Sequence, residues 1–230
     1  CITDHFHVIQ ELTRRVDRVR IRVQNRFRKT INTLKPKKNN KTITSEELIE
    51  LEEASRYYYV LKKFNWLLAS TNKKILDVNV ERRFNHRLNR YLNYSEILAY
   101  MLAIDDELEE AFYLRNDVTY FYDHCTYDTA KKQLEKIIID FRSSTVAEMS
   151  PFANTLTNWK KEIINSFIIV DDKANRKMNT AIVENRNKSI KLLKHASNGY
   201  LNWERFRNRI LYTLNEDTTF YYTSIRKDGK

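Results

Sequence analysis

Phe6–Leu34, FHVIQELTRRVDRVRIRVQNRFRKTINTL, is the stretch on which the fold turns. Phe6, Ile9, Leu12, Val16, Val19, Val23, Phe27 and Ile31 recur every three or four residues. That is the period of a long amphipathic helix, and its basic residues crowd into the second half. Pro36 is expected to stop it, because proline lacks an N–H and clashes with the preceding turn. Lys35–Lys41 then reads as a polar, basic loop. Upstream, Cys1–Asp4 reads as the tail of a strand ending at Asp4.

Outward from this helix the pattern stays helical. Only 2 Gly and 2 Pro occur in 230 residues, which argues against a turn-rich β protein. Thr44-Ser45-Glu46-Glu47 and Asn93-Tyr94-Ser95-Glu96 have the form of capping boxes. A helix is expected after each, with Leu48, Leu51, Tyr58, Leu61, Phe64 and Leu68 on the buried stripe of the first. Lys74–Tyr91 is read as another helix. Asp105-Asp106 opens the next, with acids where the helix dipole favours them. Thr126 or Asp128 caps a further one. Ser150-Pro151 reads as an N-cap followed by proline at the first helical position. The segment 42–167 is thus a helical body. Ile168-Ile169-Val170 is a short strand or the end of the preceding helix. Asn198-Gly199 is a helix stop, Leu201–Leu214 a last basic helix, and 215–230 a tail.

Charge is concentrated at the two ends. Arg14–Lys41 holds 12 bases and one acid, Asp17, for a net of +11, equal to that of the whole chain. Arg186–Arg209 adds a net of +6, while Thr42–Asn185 has 19 bases against 23 acids. Two basic blocks around a near-neutral body point to a polyanion, most simply nucleic acid. With 2 Cys there is no disulfide framework, and no apolar run approaches the roughly 20 residues that span a membrane.

One residue does not fit plain nucleic-acid binding. Glu184, Asn187, Lys191 and Lys194 share one side of a helix, with Val183, Ile190 and Leu193 on an adjoining side that can pack. A carboxylate among phosphate-seeking lysines makes sense if it holds a metal ion and they hold phosphates around it. The bland alternative is an acid favoured at a helix N-terminus. Other constellations are weaker. His5 and His7 would share a face of a strand but lack further ligands. His124-Cys125 is too little for a zinc site. The Tyr57-Tyr58-Tyr59 run has helical spacing more typical of a core than of base stacking. Asp171-Asp172 reads as a solvated loop.

Four stretches together resemble the DDE transposases of the ISL-three type, from bacterial insertion sequences. Thr3-Asp4-His5-Phe6-His7-Val8-Ile9 resembles the family's D-R-F-H-V motif. Glu184-Asn185-Arg186-Asn187-Lys188-Ser189-Ile190-Lys191 resembles its E-G-x-N-x-x-I-K motif. Trp159–Phe167, WKKEIINSF, resembles W-x-x-E-I-x-N-S-F. Gly199-Tyr200 with Phe206-Arg207-Asn208-Arg209-Ile210 resembles its G-Y…F-R-x-R-I ending. His5 replaces the usual base and Asn185 the common glycine, which costs stability inside a helix.

The resemblance implies a mainly α chain that forms the C-terminal part of a split RNase H-like core. The second and third catalytic acids would be Asp4 and Glu184, separated by the helical insertion. It implies segments 1–41 (core strand and basic helix), 42–167 (insertion), 168–214 (Glu184 helix and basic helix) and 215–230. It implies two ions of Mg²⁺ or Mn²⁺ held by carboxylates, with Asp4 and Glu184 about 4–8 Å apart, as in a two-metal site. Phosphoryl transfer at insertion-sequence ends would follow. Phosphate contacts are expected from Arg14, Arg15, Arg18 and Arg22 on the first helix. Asn187, Lys188, Lys191, Lys194, Arg207 and Arg209 are expected to meet DNA near Glu184. Partners would be terminal repeats and target DNA, with a homodimer on DNA and a cytoplasmic, nucleoid-associated location. The rival reading is a non-catalytic helical nucleic-acid binder or a decayed transposase remnant.

The first catalytic aspartate has no counterpart in these motifs and is expected upstream of Cys1, as are the family's zinc-binding and helix-turn-helix segments. The chain alone is therefore expected not to cleave or join DNA. Metal-dependent strand transfer of terminal-repeat DNA by this chain in isolation overturns that expectation.

Overall fold

The computed structural model describes residues 4–171, 176–177, 181–197 and 199–214, except for the side chains of 170, 171, 176, 177 and 181–184. Two compact units emerge, Cys1–Met178 and Asn179–Lys230.

The first unit is assembled on α1 (His5–Asn39), a helix of 35 residues and hence roughly 50 Å long at 1.5 Å per residue. Its stripe Val8, Leu12, Val16, Val19 and Val23 is buried, at the spacing that keeps apolar residues on one face. Against α1 pack α2 (Ser45–Lys63) and α4 (Asp106–His124). A 3-10 turn (Asn65–Ala69), a hairpin of β1 (Arg83–Asn85) and β2 (Arg90–Leu92), and α3 (Tyr94–Leu102) fill the span between them. Then come α5 (Tyr127–Ser143), α6 (Phe152–Asn158) and α7 (Lys160–Asn165), followed by antiparallel β3 (Ile169–Asp171) and β4 (Arg176–Lys177). One hydrophobic core joins α1 to the helices of 42–167.

Local signals that are short in range read true. Thr44 and Asn93 each form a full capping box, with Glu47 and Glu96 reaching back to the cap N–H. Asp105 caps α4 through the Leu108 N–H at 3.1 Å. Thr126 is the N-cap of α5.

Four expectations are corrected. Helix α1 runs through Pro36 to Asn39. The proline removes one hydrogen bond, but Asn40 N–H donates to Pro36 O (3.0 Å) and Thr42 N–H to Lys37 O (3.0 Å), so the last turn closes beyond it. His5 and His7 lie on this helix, not on a strand, so two-apart spacing no longer puts them on one face. Lys74–Tyr91 is not a helix but turns and the β1–β2 hairpin. Asn85 accepts from the N–H groups of Arg87 (3.0 Å) and Leu88 (3.2 Å), and Asn89 takes φ 52°, so two asparagines build the bend. Ser150 caps nothing through its side chain, and the helix after it breaks at Trp159 into α6 and α7.

Buried arginines tie elements together. Arg20, 7% exposed, donates to Asp17 (2.7 Å) and to Leu61 O (3.2 Å) in the last turn of α2. Arg115, 3% exposed, donates to Ala69 O (3.1 Å) at the end of the 3-10 turn, and burial holds its pKa down. Each satisfies a carbonyl that a helix end leaves open. Arg22 meets Glu148 in a two-pronged pair (2.8 and 2.9 Å) and also Glu107. Arg15 donates to Glu148 O (2.7 Å) and lies over the Phe152 ring, while Arg26 pairs with Asp105. This clamp fixes α1 against the start of α4 and the Glu148 loop.

The second unit contains α8 (Ala181–Ala196) and α9 (Trp203–Leu214). Gly199, at φ 95°, ends α8 with its N–H on Lys194 O (3.0 Å), the six-to-one bond of a glycine C-cap. Tyr200 and Phe206 stack at 4.7 Å where the two helices meet.

Two stability measurements check this architecture. Phe121→Ala, in the core between α4 and Phe167, is expected to lower unfolding stability by about 3–5 kcal/mol. Glu148 is held below the ordinary carboxylate range, chiefly by its bonds to Arg22. Its stabilising effect is thus present above the pKa of an ordinary glutamate and is lost as pH falls through the lowered folded value. Glu148→Gln is expected to cost about 1–2 kcal/mol at pH 7, moderated because Arg22 is 38% exposed. The gap between wild type and variant should close on acidification, and a gap independent of pH would break the assignment.

Candidate metal and nucleic-acid sites

Asp4 stands at the head of α1 as its N-cap, in extended backbone. Its Oδ1 accepts the Phe6 N–H at 2.8 Å, which fixes the carboxylate plane, and lies 3.4 Å from His5 Nδ1. The side chain is 11% exposed. Tyr122 of α4 is nearby. Its hydroxyl is pushed up by burial first and by the Asp4 charge second. The Tyr122 ring stacks on Phe167 at 5.7 Å and 2°, and His5 lies 5.7 Å from it. Two motif stretches far apart in the chain therefore converge, Asp4-His5 at one side of Tyr122 and the Phe167 end of Trp159–Phe167 at the other.

Glu184 falls in the first turn of α8. Its side chain lies outside the described residues. Asn187, Lys188, Lys191 and Lys194 are exposed on α8, as are Arg207 and Arg209 on α9. Lys191 and Lys194 line one shallow cavity of about 380 Å³ with His195 and Gly199. Asp4 belongs to the first unit and Glu184 to the second. Among the described residues no group of three His, Cys, Asp or Glu is placed to hold a metal ion. Asp4 by itself offers the hard oxygen that Mg²⁺ or Mn²⁺ prefers.

The four arginines expected to face phosphates on α1 divide into two pairs. Arg14 and Arg18 are exposed. Arg15 and Arg22 bond to Glu148 inside the unit, a partner that sequence spacing had no means to show. Asp171 lies in β3 rather than in a loop, and Asp172 is outside the described residues. His124 stacks on Tyr120 at 3.9 Å.

A feature hidden by the helical reading of Lys74–Tyr91 is the composition of its hairpin. Arg82–Tyr91, RRFNHRLNRY, has four arginines and no acid. Phe84 and Tyr91 pair across the strands at 5.0 Å, 40% and 68% exposed. Arginine density interleaved with aromatics was the signal for it.

No described helix is long and apolar enough to cross a membrane. No curated protein and no solved structure matches the chain. One family does: the DDE transposases of the ISL-three type, described as transposase, match residues 1–210. With a match of that extent, and with the motif stretches at Asp4, Trp159–Phe167 and Glu184 inside it, the chain belongs to the ISL-three-type DDE transposase family.

Proposed function

We propose that this transposase chain supplies the second and third acids, Asp4 and Glu184, of a DDE centre that cleaves and joins DNA at insertion-sequence ends. The family match over residues 1–210 carries the reading, since it takes in both acidic motifs in order. In this reading residues around Asp4 and α8 belong to an RNase H-like core that the helices of 42–167 interrupt. Two divalent ions, Mg²⁺ or Mn²⁺, supply activation of the attacking oxygen and stabilisation of the leaving one.

The chain's own residues do the rest. Asp4 presents a carboxylate whose orientation is set by the Phe6 N–H, so a ligand is held in place before DNA arrives. Glu184, in the first turn of α8, is the matching ligand. Asn187, Lys188, Lys191 and Lys194 follow it along the helix and take phosphates, and Arg207 and Arg209 extend that basic face on α9. Arg14 and Arg18 are the α1 side chains that face DNA. The protein works at the nucleoid, with two copies bringing paired ends together.

The test uses a transposase that carries all three acids. Asp4→Asn and Glu184→Gln are each expected to reduce strand transfer of terminal-repeat DNA by more than about 100-fold, beyond what loss of an outer-shell partner costs. DNA binding without divalent metal should stay near wild type. Strand transfer that survives either change removes that residue from the metal site. Survival in both leaves Glu184 a dipole-favoured acid and the chain a DNA-binding protein.

A further inference from the structure

We propose that the groove between the second half of α1 and α2, closed at one end by the β1–β2 hairpin, is a DNA-binding track separate from the Glu184 helix, with an aromatic pocket that takes an unpaired base. The proposal rests on the chain's membership of a DNA-acting family; the location comes from the geometry.

Three cavities, of about 370, 600 and 550 Å³, all include Tyr59 and Arg87 in their walls, so they form one continuous trough. One wall is the α1 stripe Arg28, Ile31, Lys35 and Lys38. The facing wall on α2 is Ser55, Tyr59 and Lys62, with Arg56 and Lys63 beside them. The α1 stripe follows a three-then-four spacing, and the α2 positions fall on one face by the same rule. The ten steps from Arg28 to Lys38 rise roughly 15 Å, the rise of about four base pairs at 3.4 Å each. Every one of these cations is exposed, and among the described residues none is in an ion pair. The neighbouring Lys37 and Arg82, by contrast, are paired with Glu47 and Glu96. Glu52 and Glu81 are the acids that reach the rim.

The hairpin end is built differently. Leu88 is buried in the core at the bend, which anchors the tip. Arg87 beside it lies over the Tyr59 ring at 5.8 Å. The 550 Å³ cavity here is walled by Tyr59, Phe64, Phe84 and Tyr94, with Arg83 at its edge. Phe84 and Tyr94 are each about two-fifths exposed. Cations track a phosphate backbone, and exposed rings stack on bases that have left the duplex. An acidic protein partner would use the lysines and arginines but has no need of the rings.

The test is fluorescence anisotropy of this chain, without divalent metal, on a blunt duplex and on the same duplex with a short single-stranded tail, over a sodium chloride series. The triple variant Arg56→Ala/Lys62→Ala/Arg87→Ala is expected to weaken binding to both DNAs by at least about tenfold. It should also flatten the plot of log affinity against log salt by about 2–3, near 0.9 for each phosphate that is no longer neutralised. The charge-keeping variant Arg56→Lys/Lys62→Arg/Arg87→Lys should restore most of both. Phe84→Ala should leave the salt dependence alone and remove a preference for tailed over blunt DNA of about fivefold or more. Wild-type binding by the alanine triple variant at every salt overturns the track, and so does a loss that the charge-keeping variant fails to rescue. A tail preference that persists in Phe84→Ala overturns the base pocket. None of these readings depends on Asp4 or Glu184, so failure of the catalytic proposal shows separately, as strand transfer that survives their substitution.

Discussion

The buried stripe of α1, from Val8 to Val23, is the surface on which the first unit is assembled. Helices α2 and α4 pack against it, and α3, α5, α6 and α7 complete the same core. Valine dominates the stripe, and a branched side chain with one preferred rotamer in a helix packs with little entropy left to lose. On the flank of the stripe, Arg15, Arg22 and Arg26 recur at seven- and four-residue spacing and reach across to Glu148, Glu107 and Asp105. The charged clamp therefore orients what the apolar stripe attracts. Arg20 does the same on the other side, toward the end of α2.

What the sequence made legible was local. The helical period of Phe6–Ile31, the capping boxes at Thr44 and Asn93, the acid-led start at Asp105 and the glycine stop at Gly199 each depend on neighbours within a few residues. Of the six α-helices described within 42–167, the starts of α2, α3, α4 and α5 follow from such signals, whereas the break that separates α6 from α7 does not. The misreadings also have physical reasons. The β1–β2 hairpin has no Gly or Pro to announce its bend, and Asn85 with Asn89 supplies the turn instead. Pro36 falls so close to the helix end that losing one hydrogen bond does not stop the last turn.

The candidate site divides in the same way. Asp4 and Glu184 stood out through motif and charge, which are properties of short stretches. Asp4 caps α1 through the Phe6 N–H two residues on, but the Tyr122 and Phe167 rings stacked beside it come from more than a hundred residues away. The separation of Arg15 and Arg22 from Arg14 and Arg18 has the same origin. All four look alike in sequence, and only the distant Glu148 distinguishes them. A high density of arginine on a helix face is thus an ambiguous sign, since the same guanidinium fork that grips a phosphate also grips a carboxylate.

Helix α1 is also a ruler. Asp4 sits at its first turn, and Arg28, Lys35 and Lys38 lie along its last third, with no loop between them. The distance and the rotational phase between the carboxylate and the basic trough are therefore set by one continuous helix. Adding a single residue between Val23 and Arg28 would turn one end by about 100° relative to the other, whereas adding seven would nearly restore the phase. Sequence drift within α1 is in this sense constrained by length as well as by composition. Its residue count is geared to the spacing of whatever lies along it.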